Sequence, residues 1–244
     1  LYHCWKTNGH GKMNVTNAIK QSCDVFFYEI SKKLGIDKIA EVAKDFGLGQ
    51  SFDISMPNQK IGIVPNKKWK KEKIGESWYA GETLISAIGQ GFVLTNPFQL
   101  AVMTSIIASN GKMVEPTIIK GKPVSFKTNE KYSKEIKIIK KAMFKVVNEN
   151  KGTAFNSRLQ DIKFAGKTGT SQVRRISLSE RESDDFREKE QEWKNRDHAL
   201  FVGYMPYDDP KYSISVIIEH GGSGASTAAP IAKQVFNYIN ELEV

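Results

Sequence analysis

The hydrophobic pattern of this chain turns from helical to strand spacing in its last third, from about residue 164, before a closing helix, and that order sets its fold class. Upstream, apolar residues recur at helical spacing. Residues 14–19 read as a short helix leading into Gln21-Ser22-Cys23-Asp24. Asp24 is suited to cap a second helix, on which Val25, Phe26, Phe27, Ile30 and Leu34 form one buried stripe before Gly35 ends it. A third helix is predicted over about 37–46, stopped by Gly47-Leu48-Gly49. Residues 50–82 read as loop, with Pro57, Gly62, Pro65 and Gly75. Thr95-Asn96-Pro97 starts another helix, a cap followed by proline in the first turn. Leu100, Met103, Thr104 and Ile107 follow on it, and Asn110-Gly111 closes it. Residues 133–148 form a basic amphipathic helix whose stripe of Ile136, Ile139, Met143 and Val147 suits core packing.

Downstream the pattern turns to strands, at 164–173, 198–204 and 212–219. Asp208-Asp209-Pro210 makes the last two an antiparallel hairpin, and 227–242 reads as a closing helix. Residues 174–197 are dense in charge and read as an exposed, mobile insertion. Helices before and after an antiparallel sheet predict a mixed α/β (α+β) layered domain.

The formal charge is +9, with lysines gathered at 66–73 and along 131–145. A basic surface favours polyanions or an anionic membrane face. No nucleic-acid-binding signature accompanies it, so no nucleic-acid partner is expected, and both clusters read as solvated lysines. Cys4 and Cys23 are too few for a disulfide framework. No apolar run reaches membrane-spanning length, and no signal peptide is legible. The opening Leu1-Tyr2-His3-Cys4-Trp5 reads as the interior of a domain, so a fragment is expected, with any anchor upstream.

Two short segments carry chemistry. Lys167-Thr168-Gly169-Thr170 lies on a predicted strand. An ammonium beside two hydroxyls suits a carboxylate, and Gly169 lets a ligand approach the backbone. Ser22-Cys23-Asp24 lies between two helices, where it serves either proton relay or helix capping. Their order, a serine triplet and much later Lys-Thr-Gly, is that of the penicillin-recognising serine enzymes, in which Ser-x-x-Lys comes first. The only Ser-x-x-Lys here is Ser109-Asn110-Gly111-Lys112, behind the triplet at a predicted helix end. A third constellation is Cys4, His10 and Cys23, with five and then twelve residues between them. Their chemistry suits zinc, and two buried cysteines with a surface histidine are the alternative.

Further segments narrow the resemblance: Trp5 to Tyr28, containing 9–16 (Gly-His-Gly-Lys-Met-Asn-Val-Thr), Trp78-Tyr79-Ala80-Gly81-Glu82-Thr83, Ile88-Gly89-Gln90-Gly91, Asn96-Pro97-Phe98-Gln99, Gly152-Thr153-Ala154, the run from Lys167 through Ser171-Gln172-Val173, and Glu219-His220-Gly221-Gly222-Ser223-Gly224. Spread over nearly the whole chain, they resemble the class B penicillin-binding proteins, nearest the elongation-type penicillin-binding protein 2. That resemblance implies a β-lactamase/transpeptidase-like fold, incomplete on its N-terminal side, with 1–244 the C-terminal portion of one transpeptidase domain. It implies a peptidoglycan D,D-transpeptidase that needs no catalytic cofactor. Its first-motif serine attacks D-Ala-D-Ala stem peptides, and β-lactams imitate that substrate. Ser22 and Asp24 then belong to the second motif, with Ser22 passing a proton to the leaving amine. Lys167 orients Ser22. Thr168, Gly169 and Thr170 form the substrate strand, the two hydroxyls holding the terminal carboxylate and the Thr170 N–H serving the oxyanion hole.

The nucleophile is then expected upstream of Leu1, which leaves this chain inactive alone. A structural zinc on Cys4, His10, Cys23 and an upstream aspartate is also implied. So is a site on the periplasmic face of the inner membrane, with a RodA-type glycan polymerase and elongation scaffold proteins as partners. The alternatives are a β-lactam-hydrolysing relative and a non-catalytic β-lactam sensor. Hydrolysis needs a placed base; no Glu-x-x-x-Asn segment lies between the two motifs, although Glu76 and Glu82 do.

Overall fold

The computed structural model describes residues 2–121, 126–128, 130–174 and 192–243. Most of the predicted insertion at 174–197 falls on 175–191, outside the described residues; within its remainder Trp193–Asn195 form a 3-10 turn.

The helices are α1 (Val15–Gln21), α2 (Asp24–Leu34), α3 (Ile36–Asp45), α4 (Lys67–Lys73), α5 (Ala80–Ser86), α6 (Pro97–Ala108), α7 (Ser133–Asn148) and α8 (Ala229–Glu243). Their starts follow local chemistry. Asn14, Asn66 and Asn96 each turn a side-chain oxygen onto a first-turn N–H, of Asn17, Trp69 and Gln99. Gly35, at φ 74°, separates α2 from α3.

Two sequence expectations fail here. On α2 the buried residues are Tyr28 and Ser31, while Val25 and Leu34 face solvent. Periodicity located the helix, but its neighbours α3 and α5 chose which side it buries. The stretch read as loop contains α4, whose lysines are not all solvated. Lys70 is 1% exposed. Its ammonium meets the carboxylates of Glu82 and, at 3.4 Å, Glu76, and lies 4.4 Å from the Tyr79 ring centroid. Burial works to lower the Lys70 ammonium, and the two carboxylates outweigh it, holding it above the ordinary lysine value. A charge run reads as surface until its counter-ions, on a separate element, are in place.

Strands β1 (Lys112–Val114) and β2 (Phe126–Thr128) pair antiparallel. The main sheet is β3 (Ala165–Ser171), β4 (His198–Met205) and β5 (Tyr212–Ile218), antiparallel in the order β3-β4-β5. Strand alternation divides its faces. Ala199, Phe201 and Met205 point to one core, shared with Ala229, Ala232 and Phe236 of α8 and with Phe164. Tyr204 and Ala165 point to the other, with Ile107 and Ala108 of α6 and Ile136 and Met143 of α7. Phe164, Phe201 and Phe236 are fully buried, with ring centroids 5.2 Å (164–236) and 6.3 Å (164–201) apart. Truncating such a ring to alanine costs about 3–5 kcal/mol. The sheet is thus a rigid layer between helices, with β3 at its edge among the described residues.

Candidate active site

Ser22 follows the last turn of α1 in the left-handed region, at φ 52°, ψ 54°. A non-glycine residue there carries about 1–2 kcal/mol of strain. Its surroundings hold it. Its N–H reaches the Ile19 carbonyl at 3.3 Å, and the next N–H, of Cys23, returns to Ala18 at 2.9 Å. Trp5 clamps it from outside, donating Nε1–H to the Ser22 carbonyl at 2.8 Å and the Gln21 carbonyl at 3.2 Å. The Trp5 N–H donates to Asp24 Oδ2 at 3.0 Å. Bent this way, the chain turns the Ser22 hydroxyl toward β3.

Lys167 meets it there. Its Nζ donates to Ser22 Oγ at 2.5 Å and to the Thr168 carbonyl at 2.8 Å. The two residues are 145 positions apart in sequence. Burial, opposed by the Asp24 carboxylate, lowers the Lys167 ammonium to about 8. Such a group holds or releases a proton near neutral pH, which an ordinary lysine does not. Burial also raises the Asp24 carboxyl, against the hydrogen bonds it accepts from Trp5 and Cys4.

Lys167 and the two threonines leave β3 on different faces. Alternation sends the Lys167 side chain to one face of β3 and those of Thr168 and Thr170 to the other. Thr168 Oγ1 lies 2.6 Å from Thr153 Oγ1. Thr170 Oγ1 accepts from the Gly224 N–H at 3.4 Å, which leaves its own proton to donate. The three polar groups therefore flank the strand edge rather than share a face.

Cys4, His10 and Cys23 come together as the sequence suggested. Their ligand atoms lie within 4.8 Å of one another, with Cys4 Sγ 3.4 Å from His10 Nδ1. His10 Nε2 is buried and has no partner among the described residues. Burial, with Lys6, lowers His10 below its ordinary value, which favours the neutral imidazole, the form that binds metal. Two sulfurs and an imidazole nitrogen at this spacing fit three corners of a tetrahedral zinc site.

Residues 2–237 match the penicillin binding protein transpeptidase domain. The chain belongs to that family. Peptidoglycan D,D-transpeptidase MrdA of Acinetobacter baumannii is 36% identical over 96% of this chain and 35% of that protein. The MrdA of Haemophilus influenzae is 34% identical over 96% of this chain and 37% of that protein. Among solved structures, the complex between penicillin-binding protein (PBP2) and MreC from Helicobacter pylori superposes with a TM-score of 0.86 at 33% identity. It covers 99% of this chain and 42% of that chain. The chain thus spans little more than a third of the length of these curated relatives.

Within the transpeptidase domain, the glycines around Lys167 have distinct reasons. A Cβ on Gly166 would stand 2.2 Å from Phe201 Cζ and 2.6 Å from the Val202 carbonyl oxygen. One on Gly224 would stand 2.2 Å from the Gly169 oxygen. Both are packing requirements. A Cβ on Gly169 would meet only Leu200 Cβ, at 3.3 Å. A Cβ there would be tight against one side-chain atom, whereas at Gly166 and Gly224 it would run into backbone. Three residues at the site had no role assigned from sequence: Trp5, Thr153 and Gln90. Thr153 and Gln90 lie in segments that carry the family resemblance, but their partners are on β3, far along the chain.

Proposed function

We propose that this chain supplies the second- and third-motif walls of a peptidoglycan D,D-transpeptidase active site. The observation that carries this is the 2.5 Å contact between Lys167 Nζ and Ser22 Oγ. A first-motif serine attacks the carbonyl of the penultimate D-alanine. The tetrahedral oxyanion forms against the Thr170 N–H, a donor of a kind worth about 3 kcal/mol in such sites. The peptide C–N bond then breaks. Ser22 hands a proton to the departing D-alanine amine and is re-supplied through Lys167, whose lowered affinity suits that exchange. An amine of a neighbouring stem peptide then takes the acyl group. Thr168 and Thr170 hold the substrate's terminal carboxylate along the β3 edge. Asp24 secures the Cys4–Trp5 segment that clamps Ser22.

Ser109 is not the nucleophile in this reading. Its hydroxyl is spent at the end of α6, donating toward the Lys112 and Ile106 carbonyls. The nucleophile and its lysine come from outside 1–244, which makes 1–244 the C-terminal portion of the domain. The whole protein then works at the periplasmic face of the inner membrane. It takes stem peptides and β-lactams, and is paired with a RodA-type glycan polymerase and an MreC-type scaffold. Among the described residues no helix is long and apolar enough to cross a membrane. The hydrolase reading is disfavoured because Glu82 and Glu76 are tied to Lys70 and are not free to act as a base.

Cys4, His10 and Cys23 hold zinc as a structural ion that fixes the segment before Ser22. Metal analysis of the purified full-length protein should give about one zinc per chain. Cys23→Ser should lose it; an unchanged zinc content in that variant removes the site. For the catalytic reading, the full-length protein should be labelled covalently by a fluorescent penicillin. Lys167→Ala should slow that acylation more than about tenfold, the scale of a lost proton-transfer partner. An unchanged rate takes Lys167 out of the site.

A further inference from the structure

The edge of β3 already has an occupant. Gln90 sits between Gly89 and Gly91, at φ 77° and 69°, just after α5. Those two left-handed glycines turn the backbone so that Gln90 faces the strand. Its Nε2 donates to the Thr170 carbonyl at 2.9 Å, and its Oε1 accepts from the Gln172 N–H at 3.2 Å. One carboxamide thus satisfies a carbonyl and an N–H that a neighbouring strand would otherwise use.

The register shows which groups these are. Thr170 pairs with Ala199 across the β3–β4 ladder. In an antiparallel ladder a residue turns its N–H and C=O to the same side, and the side alternates along the strand. Since the Thr170 carbonyl points away from β4 to Gln90, the Thr170 N–H points outward too. Gln90 therefore covers the strand edge directly beside the N–H assigned to the oxyanion hole. An extended peptide binding along β3 by strand addition needs that carbonyl for its own amide N–H. Gln90 and such a ligand compete for one acceptor lobe.

We propose that Gln90 is a displaceable cap on the β3 edge, and that it tunes discrimination between ligands with and without an acyl-side amide N–H, because only those with the amide must displace it to reach the Thr170 carbonyl. The free protein keeps the edge closed with the Gln90 carboxamide. A stem peptide, or a β-lactam with an acylamino side chain, swings Gln90 away and replaces its bond to Thr170. A ligand with no amide there gains nothing by displacing it. The cap also blunts an exposed strand edge, which would otherwise pair with foreign strands.

This rests on the transpeptidase reading, and the test separates the two. In the full-length protein, acylation rates are measured with a penicillin carrying a 6-acylamino group and with a carbapenem lacking that amide. Gln90→Met keeps the volume and removes both hydrogen bonds. The penicillin-to-carbapenem rate ratio should rise about three- to tenfold, the scale of one or two net hydrogen bonds no longer to be broken. A ratio that is unchanged or lower overturns the cap. Amide hydrogen exchange at Gln172 gives a second readout that needs no acylation. Exchange should be about tenfold faster in Gln90→Met than in the unaltered protein; equal exchange overturns the cap as well. If the unaltered protein is acylated by neither compound, the transpeptidase reading fails, and Gln172 exchange alone decides the cap. Should Gln90→Met not fold, Gln90→Glu takes its place. It keeps an acceptor for Gln172 and repels the Thr170 carbonyl, so the ratio should rise while Gln172 stays protected; an unchanged ratio then overturns the proposal.

Discussion

Lys167 should make the fold less stable at neutral pH than in mild alkali. Its ammonium titrates at about 8 in the folded protein against an ordinary 10.5. The folded state thus holds this proton more weakly than the unfolded chain. The charged form is a penalty, present in full below about 8 and relieved as pH climbs toward 10.5. The drop from 10.5 to about 8 corresponds to about 3 kcal/mol. Most of that, about 2–3 kcal/mol, should be recovered between pH 7 and pH 10, the remainder above pH 10. Lys167→Met carries no proton and lacks this rise. Thermal unfolding of the full-length protein and of Lys167→Met, followed for the transpeptidase domain between pH 7 and 10, isolates the effect by difference. The gap should move by about 5 °C in favour of the lysine form as pH rises, at about 2 °C per kcal/mol for a domain of this size. A gap that stays constant over that range means Lys167 is an ordinary lysine. Burial beside Ser22 would then not be its governing influence, and its place in the proton exchange would go with it.

Other substitutions separate packing from chemistry. Gly166→Ala pushes a Cβ into Phe201 and should destabilise the domain by about 1–3 kcal/mol in denaturant unfolding. Gly169→Ala, with only Leu200 Cβ at 3.3 Å, should unfold within about 1 kcal/mol of the parent yet slow penicillin acylation; an equal loss of stability at both positions refutes the distinction. Trp5→Phe keeps a ring but drops both carbonyl contacts around Ser22, and should slow acylation about three- to tenfold with a small change in Tm. Glu82→Gln leaves the buried Lys70 ammonium short of its counter-charge and should lower Tm clearly; an unchanged melting curve means the pair is not structural.

Local chemistry alone determined much of this protein. Asn96-Pro97 and Asn110-Gly111 bracket α6 because capping and chain reversal are decided by neighbouring residues. The stripe from Ile136 to Val147 located α7 to the residue, since amphipathic spacing needs only the sequence to be seen. The hairpin of β4 and β5 followed from two alternating runs and the turn residues between them. Ser22, Lys167 and the Cys4, His10, Cys23 set were legible as residue types in a telling order. Tertiary structure decided everything that depends on partners distant in sequence. It buried Lys70 by bringing Glu82 to it, and it turned α2 by packing it on α3 and α5. It laid Gln90 on Thr170 and Thr153 on Thr168.

The site itself reduces to one juxtaposition. A strained turn after α1 and the edge of a three-stranded sheet are brought within a hydrogen bond of each other by the helices packed around that sheet. Short-range propensity shapes each of those pieces, but only burial of their shared cores fixes the distance between them.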